Sequence, residues 1–402
     1  MDPIKNPYAP GAGQRPPELA GRDDQLDAFG ITLQRVAHGR PERSVVLTGL
    51  RGVGKTVLLN ALRSAAVRAG WGTGKWEARP DQRLRRPLAA ALHTAVRELG
   101  RSERTDTDHV LGVLRSFAQR DAIDAGGKVR DRWSIGIDVP AVAGRADSGD
   151  IEIDLVELLT EIGGAAADLG RGVGLFVDEM QDLHPDDVSA LCAACHEISQ
   201  AGLPVLIVGA GLPHLPAVLS AAKSYSERLF RYARIDRLPR EAADRALQSP
   251  ALQEQAAFDD AALTAMYELT SGYPYFIQAY GKVAWDAAPG SPITAADIVV
   301  AAPSAEAELA VGFFGSRYER ATPGEREYLR AMADAAAALE PAELDDVRSV
   351  PTSAVADLLG RKPQSLSPAR DALLKKGLIY SGERGRIAFT VPHFGQYLLS
   401  VG

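Results

Sequence analysis

The 402 residues predict an α/β fold: a parallel sheet covered by helices, continuing into a helical unit and then a small C-terminal unit. Three observations predict it. Short Val/Ile/Leu-rich runs alternate with longer helical patterns, the spacing of parallel strands joined by right-handed crossovers. One of these runs leads straight into a glycine-rich loop that opens a helix, and another ends in two adjacent acids. Beyond Pro239 strand runs disappear, Ala, Leu, Glu and Arg dominate, and a strand-turn-strand pattern returns only near the C-terminus.

Taken in order, the first seventeen residues carry Pro3, Pro7, Pro10, Pro16 and Pro17 with Gly11 and Gly13, the composition of a flexible arm over 1–17. Strands are expected at Ser44 to Thr48, Lys75 to Ala78, Gly174 to Val177, Val205 to Val208 and Ala233 to Leu238, within a core spanning 18–239. The run from Arg120 to Asp150 fits this alternation poorly; Ile135, Ile137 and Val139 alternate as a strand would, and it reads as an inserted hairpin or loop. A helical unit follows over 240–303, and 304–402 holds a linker helix, from about Ala305 to Tyr318, and the last unit. Ile198 to Ala222 is uncharged and of membrane length, yet Gly202, Pro204, Gly209, Gly211, Pro213 and Pro216 interrupt it, so it reads as a buried strand and a loop, with no membrane partner.

Charge and cysteine content exclude several classes. Lys and Arg number 45 against 52 Asp and Glu, a formal net charge of -7, which excludes coating nucleic acid by bulk charge and confines any DNA contact to a local patch. Two cysteines make no disulfide framework, and Met1 to Arg15 has no apolar run of an export signal, so a cytoplasmic location is expected. Cys192-Ala193-Ala194-Cys195-His196 matches a haem-attachment spacing, but Leu191, Cys195 and Ile198 form a core stripe of a helix, and the cysteines read as buried small residues.

The loop is Gly49-Leu50-Arg51-Gly52-Val53-Gly54-Lys55-Thr56, which satisfies G-x-x-x-x-G-K-[ST]. Val45 to Leu47 form the strand before it, and the helix that follows, beginning with Val57, stops at Gly70. Glycines let backbone N–H groups wrap a phosphate at a helix N-terminus, where unpaired donors and the helix dipole favour anions. Lys55 is then expected to reach the β- and γ-phosphates and Thr56 to ligate Mg²⁺. Gly174 to Val177 lead into Asp178 and Glu179, acids at the carboxyl end of a parallel strand and so facing the ligand crevice. Asp178 is expected to hold Mg²⁺, and Glu179 to be the base that orients and deprotonates the attacking water.

These motifs resemble the AAA+ and STAND-like P-loop ATPases, in particular the group similar to archaeal ATPases and origin-recognition initiators. Leu19-Ala20-Gly21-Arg22-Asp23 looks like the pre-core segment near the adenine, Gly49 to Thr56 the Walker A loop, and Phe176 to Gln181 Walker B in its D-E-x-Q form. Val205 to Gly211 is similar to the sensor-1 strand, Ser226-Glu227-Arg228 to the arginine-finger region, and Gly272-Tyr273-Pro274 to the turn whose proline sits against the base. The resemblance implies a P-loop NTPase sheet in the order 5-1-4-3-2 with a helical lid, and ATP as ligand; the loop spacing alone is equally compatible with GTP. It also implies Arg228, with Arg231 and Arg234 as rivals, as a finger toward a neighbour's nucleotide. Two departures predict slow turnover: Gly209-Ala210-Gly211 offers no sensor-1 side-chain donor, and the lid's nearest cation to the sensor-2 position is Lys282.

In the C-terminal unit, a helix near Gly324 to Ala335, one opened by Pro351-Thr352-Ser353, and one capped by Ser365 or Ser367 with Pro368 in its first turn precede a ribbon turning at Ser381 to Gly385. This order resembles a winged helix-turn-helix domain. Between Pro351 and Arg386 the basic residues Arg361, Lys362, Arg370, Lys375, Lys376, Arg384 and Arg386 outnumber Asp357, Asp371 and Glu383. Docked on double-stranded DNA, Gln364, Ser365 and Arg370 are expected near base edges and Lys362, Arg384 and Arg386 at phosphates. The chain therefore reads as a slowly hydrolysing ATPase switch coupling nucleotide state to DNA binding or self-association. The alternative is a non-catalytic ATP-binding regulator or scaffold whose winged helix grips a protein.

Overall fold

The computed structural model describes residues 1–11, 13–100, 105–119, 136–339, 349–381, 385–391 and 393–401. The core opens with α1 (Asp23–Ala37), β1 (Ser44–Thr48), α2 (Lys55–Arg68), β2 (Gly72–Glu77), α3 (Arg85–Leu99), α4 (Thr105–Gln119) and α5 (Ile151–Asp168). It continues through β3 (Val173–Asp178), α6 (Pro185–Gln200), β4 (Val205–Gly211), α7 (Leu215–Ala222), α8 (Ser226–Leu229) and β5 (Phe230–Arg234). The five strands form one parallel sheet in the order β2-β3-β4-β1-β5, which is the expected 5-1-4-3-2 read from the other edge. Every residue of β1, β3 and β4 is buried, because helices cover both faces of the sheet, and this is why those strands read as unbroken apolar runs.

The edge strands differ from expectation. β2 begins three residues before Lys75, since an added Cβ at Gly72 or Gly74 would lie 2.4 Å from the carbonyl oxygen of Ala95 or Ala91; two glycines that look like strand breakers let α3 pack against the backbone of β2. β5 runs over Phe230–Arg234 instead of Ala233 to Leu238, pairing Ser44 with Phe230 and Thr48 with Arg234. As an edge strand it is only half buried, so its arginines disguised it. Of the expected insertion, 120–135, with Ile135, lies outside the described residues. Ile137 and Val139 are not in a strand: the Arg115 guanidinium donates to both of their carbonyls, at 3.2 and 2.7 Å, in place of a ladder.

The helical unit comprises α9 (Arg240–Gln253), α10 (Asp260–Thr270), α11 (Pro274–Ala287) and α12 (Ala295–Leu309). α12 runs on through a π-helical stretch, Ala310–Gly315, into α13 (Ser316–Glu319), so a boundary at 303/304 would cut one continuous helix. By length and composition this 25-residue helix could cross a membrane; it packs on α11, and its Phe313 and Phe314 are buried in the core. The flexible arm is corrected. Tyr8 is buried among Phe258 and Trp285 and donates its hydroxyl to Leu247 O at 2.6 Å, while Asn6 Nδ2 donates to Lys282 O at 2.9 Å and Trp285 Nε1 to Asp2 O at 2.9 Å. Beyond a 3₁₀ turn at Pro3–Lys5 this proline-rich segment has no regular element among its described residues, but one aromatic anchor and scattered hydrogen bonds seat it on the helical unit.

The last unit holds α14 (Pro323–Ala338), β6 (Val350–Pro351), α15 (Thr352–Leu358), α16 (Pro363–Lys375), β7 (Ile379–Tyr380), β8 (Arg386–Phe389) and α17 (Phe394–Val401), with its strands antiparallel in the order β6-β8-β7. α16 starts earlier than expected. Pro363 occupies its first position behind Lys362, so neither Ser365 nor Ser367 is the cap and Pro368 lies inside the helix.

Candidate functional site

The strand β1 delivers the chain to the loop, and glycine conformation shapes it. An added Cβ at Gly49 would lie 2.1 Å from Ile235 O, and Gly52 and Gly54 have φ of 87° and 90°. Gly54 precedes α2, whose first N–H groups have no carbonyl within the helix to bond and so point outward as a phosphate cradle. A cavity of about 380 Å³ opens over this helix start, lined by Arg51 to Val57, Glu179, Arg22, Pro274 and Arg317 among others. Gly49, Leu50 and Gly21 shape its surroundings without lining it.

Lys55 is buried, and its ammonium donates to Leu50 O at 2.8 Å. Burial pushes this ammonium down to about 8 against the opposing pull of Glu179, with Arg51 adding to the fall and Asp178 resisting it. Asp178, at the end of β3, is buried and accepts the Glu179 N–H at 3.0 Å. Glu179 itself has φ of 49°, a left-handed conformation uncommon for a side-chain-bearing residue. Its carboxylate accepts from Arg51 Nη1 at 3.1 Å and from Gln181 Nε2 at 2.6 Å. Thr56 and Asp178 present two hard oxygen donors, a set that fits Mg²⁺, which keeps several of its own waters.

Gln181 bridges the Glu179 carboxylate and the end of β4, a link the motif alone did not reveal. Its Oε1 accepts the Leu212 N–H at 3.1 Å, just past the end of β4, and an added Cβ at Gly211 would lie 2.6 Å from that same oxygen. The glycine at the end of β4 thus makes room for the Gln181 amide, from the 3₁₀ turn Met180–Asp182 that follows β3, and the same side chain holds the Glu179 carboxylate. Arg22 is buried and spends its guanidinium on carbonyls, Val53 O at 3.0 Å and Asp236 O at 2.6 Å, tying the segment before α1 to the loop and to the exit of β5.

Several lining residues escaped the sequence reading because they come from far along the chain. Ala9, Pro10, Gly11, Gly13, Gln14 and Pro16 of the N-terminal segment cover one side, and Tyr275, Gln278, Phe313 and Arg317 another. Lys282 does not line the cavity and lies 3.8 Å from Glu308. Arg228, in α8, is exposed and does not line it either.

The expected nucleic-acid contacts are only partly gathered. Lys362, Gln364 and Ser365 sit exposed together at the start of α16, whereas Arg370 pairs with Asp371 at 3.2 Å and Arg386 turns onto Ser349, donating to its hydroxyl at 2.8 Å and its carbonyl at 2.6 Å. Arg384 lies outside the described residues. Arg361 and Lys376 are engaged as well, at 3.3 Å from Glu327 and 2.6 Å from Glu325.

Residues 18–208 match the AAA ATPase domain family, and residues 311–398 match a family described as a domain of unknown function, DUF8462. No curated protein matches the sequence. Among solved structures, a Walker-type ATPase of Pyrococcus abyssi is similar over 96% of this chain and 97% of its own, at 15% identity and a TM-score of 0.61. The Thermotoga maritima RuvB Holliday junction branch migration motor is similar over 96% and 99% at 16% identity and a TM-score of 0.45. The Aeropyrum pernix ORC1 protein, solved in complex with DNA, is similar over 96% and 94% at 14% identity and a TM-score of 0.44. With its 5-1-4-3-2 sheet, its G-x-x-x-x-G-K-T loop over a helix start and its paired acids at the end of β3, the chain has the P-loop AAA+ fold, and its residues 18–208 match the AAA ATPase domain family.

Proposed function

We propose that the protein is a slow, Mg²⁺-dependent ATPase that works as a switch, its nucleotide state setting the position of the C-terminal unit. The observation that carries this reading is a single bond: the Arg51 N–H, inside the phosphate-binding loop, donates to Thr390 O of the C-terminal unit at 3.0 Å. A loop tied to that unit is a loop whose rearrangement around phosphates is felt there. In hydrolysis, Glu179 takes a proton from a water as its oxygen bonds to the γ-phosphorus, and the bond from that phosphorus to the oxygen leaving with ADP breaks. Lys55 and the N–H groups of the loop hold the phosphate oxygens in line. Thr56 and Asp178 would hold Mg²⁺, which would supply charge neutralisation to the phosphates. The Arg51 and Gln181 bonds to Glu179 hold its carboxylate in one orientation, while Gly209-Ala210-Gly211 at the end of β4 offers no side-chain donor to the γ-phosphate, which accords with slow turnover.

We further propose that the C-terminal unit acts as a winged helix, with Lys362, Gln364 and Ser365 meeting DNA, and that Arg228 serves a neighbouring copy. The engagement of Arg361, Arg370, Lys376 and Arg386 within the unit favours the second reading, in which this surface grips a protein. Titrating salt against duplex binding separates the two. For DNA docking, a Lys362→Ala/Lys375→Ala double variant should lose about two units of the slope of log affinity against log salt. A shallow slope unchanged by the substitutions would reject the DNA reading. Sizing the protein with ADP and with a slowly hydrolysed ATP analogue tests the switch, which requires a difference in shape or association state.

A further inference from the structure

Arg317 stands out among the cavity's charged groups. It is half-buried, and among the described residues it has no carboxylate partner. Its guanidinium donates to Phe313 O and lies over the Phe313 ring, 4.0 Å from the centroid. That ring is itself fixed, stacked on Tyr275 at 4.5 Å, with its edge 3.9 Å from where a Cβ on Gly52 of the phosphate-binding loop would stand. The arginine is therefore held beside the loop by a rigid aromatic support, and its charge is left without an anion.

Burial, followed by the charge of Arg51, pushes the Arg317 guanidinium down to about 10, and Glu179 is among the groups that oppose the fall. Arg317 thus lines the same cavity as Arg51, Glu179 and Lys55, held through the Phe313 ring beside Gly52 of the phosphate-binding loop. The cavity lining carries four cations, Arg22, Arg51, Lys55 and Arg317, against two carboxylates, Glu18 and Glu179, an imbalance that suits a polyanion.

We propose that Arg317 binds the terminal phosphate and so distinguishes a nucleoside triphosphate from a diphosphate, acting from the helix that joins the helical unit to the C-terminal unit. The proposal rests on the nucleotide reading of the cavity. It gives the π-helical stretch Ala310–Gly315 a purpose, because widened turns of this kind re-aim side chains at functional sites. The same stretch carries Phe314, which stacks on Tyr397 of α17 at 5.3 Å, so a pull on Arg317 by the terminal phosphate reaches the C-terminal unit directly.

The test is equilibrium binding of a slowly hydrolysed ATP analogue and of ADP to the full chain, each with Mg²⁺, by titration calorimetry. Arg317→Ala should weaken the triphosphate analogue by about tenfold or more and ADP by less than about twofold. Arg317→Lys, which keeps the charge but loses the fork, should fall between. If Arg317→Ala does not fold by thermal melt, the lysine variant decides, and a triphosphate-to-diphosphate ratio unchanged from the unaltered chain overturns the proposal. Equal losses for both nucleotides also overturn it. If the folded, unaltered chain binds neither nucleotide, the nucleotide reading itself falls, an outcome distinct from normal binding that ignores Arg317.

Discussion

The backbone N–H of Arg51 donates to the carbonyl oxygen of Thr390 at 3.0 Å, joining the phosphate-binding loop to the C-terminal unit from opposite ends of the chain. Thr390 is fully buried, and its hydroxyl donates to Gly377 O at 2.6 Å, which fixes the carbonyl that Arg51 meets. Thr390→Val leaves the Gly377 carbonyl without this donor at a cost of about 1–3 kcal/mol. The Arg51 amide should then exchange its hydrogen about tenfold faster, while amides of β3 and β4 keep their protection. Unchanged exchange at Arg51 would mean that the contact does not depend on Thr390.

The loop and the acids at the end of β3 have separable tasks. Lys55→Ala should abolish detectable nucleotide binding, whereas Glu179→Gln should bind ATP and lose about 100-fold or more in turnover. Equal turnover in Glu179→Gln and the unaltered protein would remove Glu179 from the base role.

Gln181 holds Glu179 on one side and Leu212 on the other. Gln181→Leu should lower kcat by about 10-fold or more with nucleotide affinity changed by less than about threefold, since it acts through the base and not on the phosphates. Steady-state rates alongside calorimetric affinities check this, and a fall in affinity matching the fall in rate would point to a purely structural role.

A buried ion pair far from the cavity secures the crossover between β2 and β3. Asp154 accepts from Arg85 Nη2 at 2.8 Å and from the Ser148 hydroxyl at 2.6 Å, with neither member of the pair appreciably exposed. Asp154→Ala strands the Arg85 charge and should cost about 3–5 kcal/mol in denaturant unfolding. Burial pushes the Asp154 carboxyl up, but its bonds to Ser148 and Arg85 overcome this and hold it below the usual carboxylate range. A depressed folded value means stability present at neutral pH and lost as pH falls through it. The stability gap between the unaltered chain and Asp154→Asn should therefore narrow below about pH 4.

By itself the sequence determined the sheet, its strand order through family likeness, and the residues that make the phosphate cradle and its paired acids. These are local properties: buried parallel strands must be continuously apolar, and a loop that wraps phosphate needs glycine where φ is positive. The sequence also hid the edges of the sheet, because glycines in β2 and arginines in β5 answer to neighbours on other elements. Only the tertiary structure decided that residues 1–17 are packed, that Gln181 fills the space left by Gly211, that Arg22 braces the loop from behind, and that Arg386 is spent on Ser349. Only there does Arg317 enter the cavity. Each of these depends on contacts between residues distant in the chain, where no spacing or periodicity carries the information and close packing alone selects the partner.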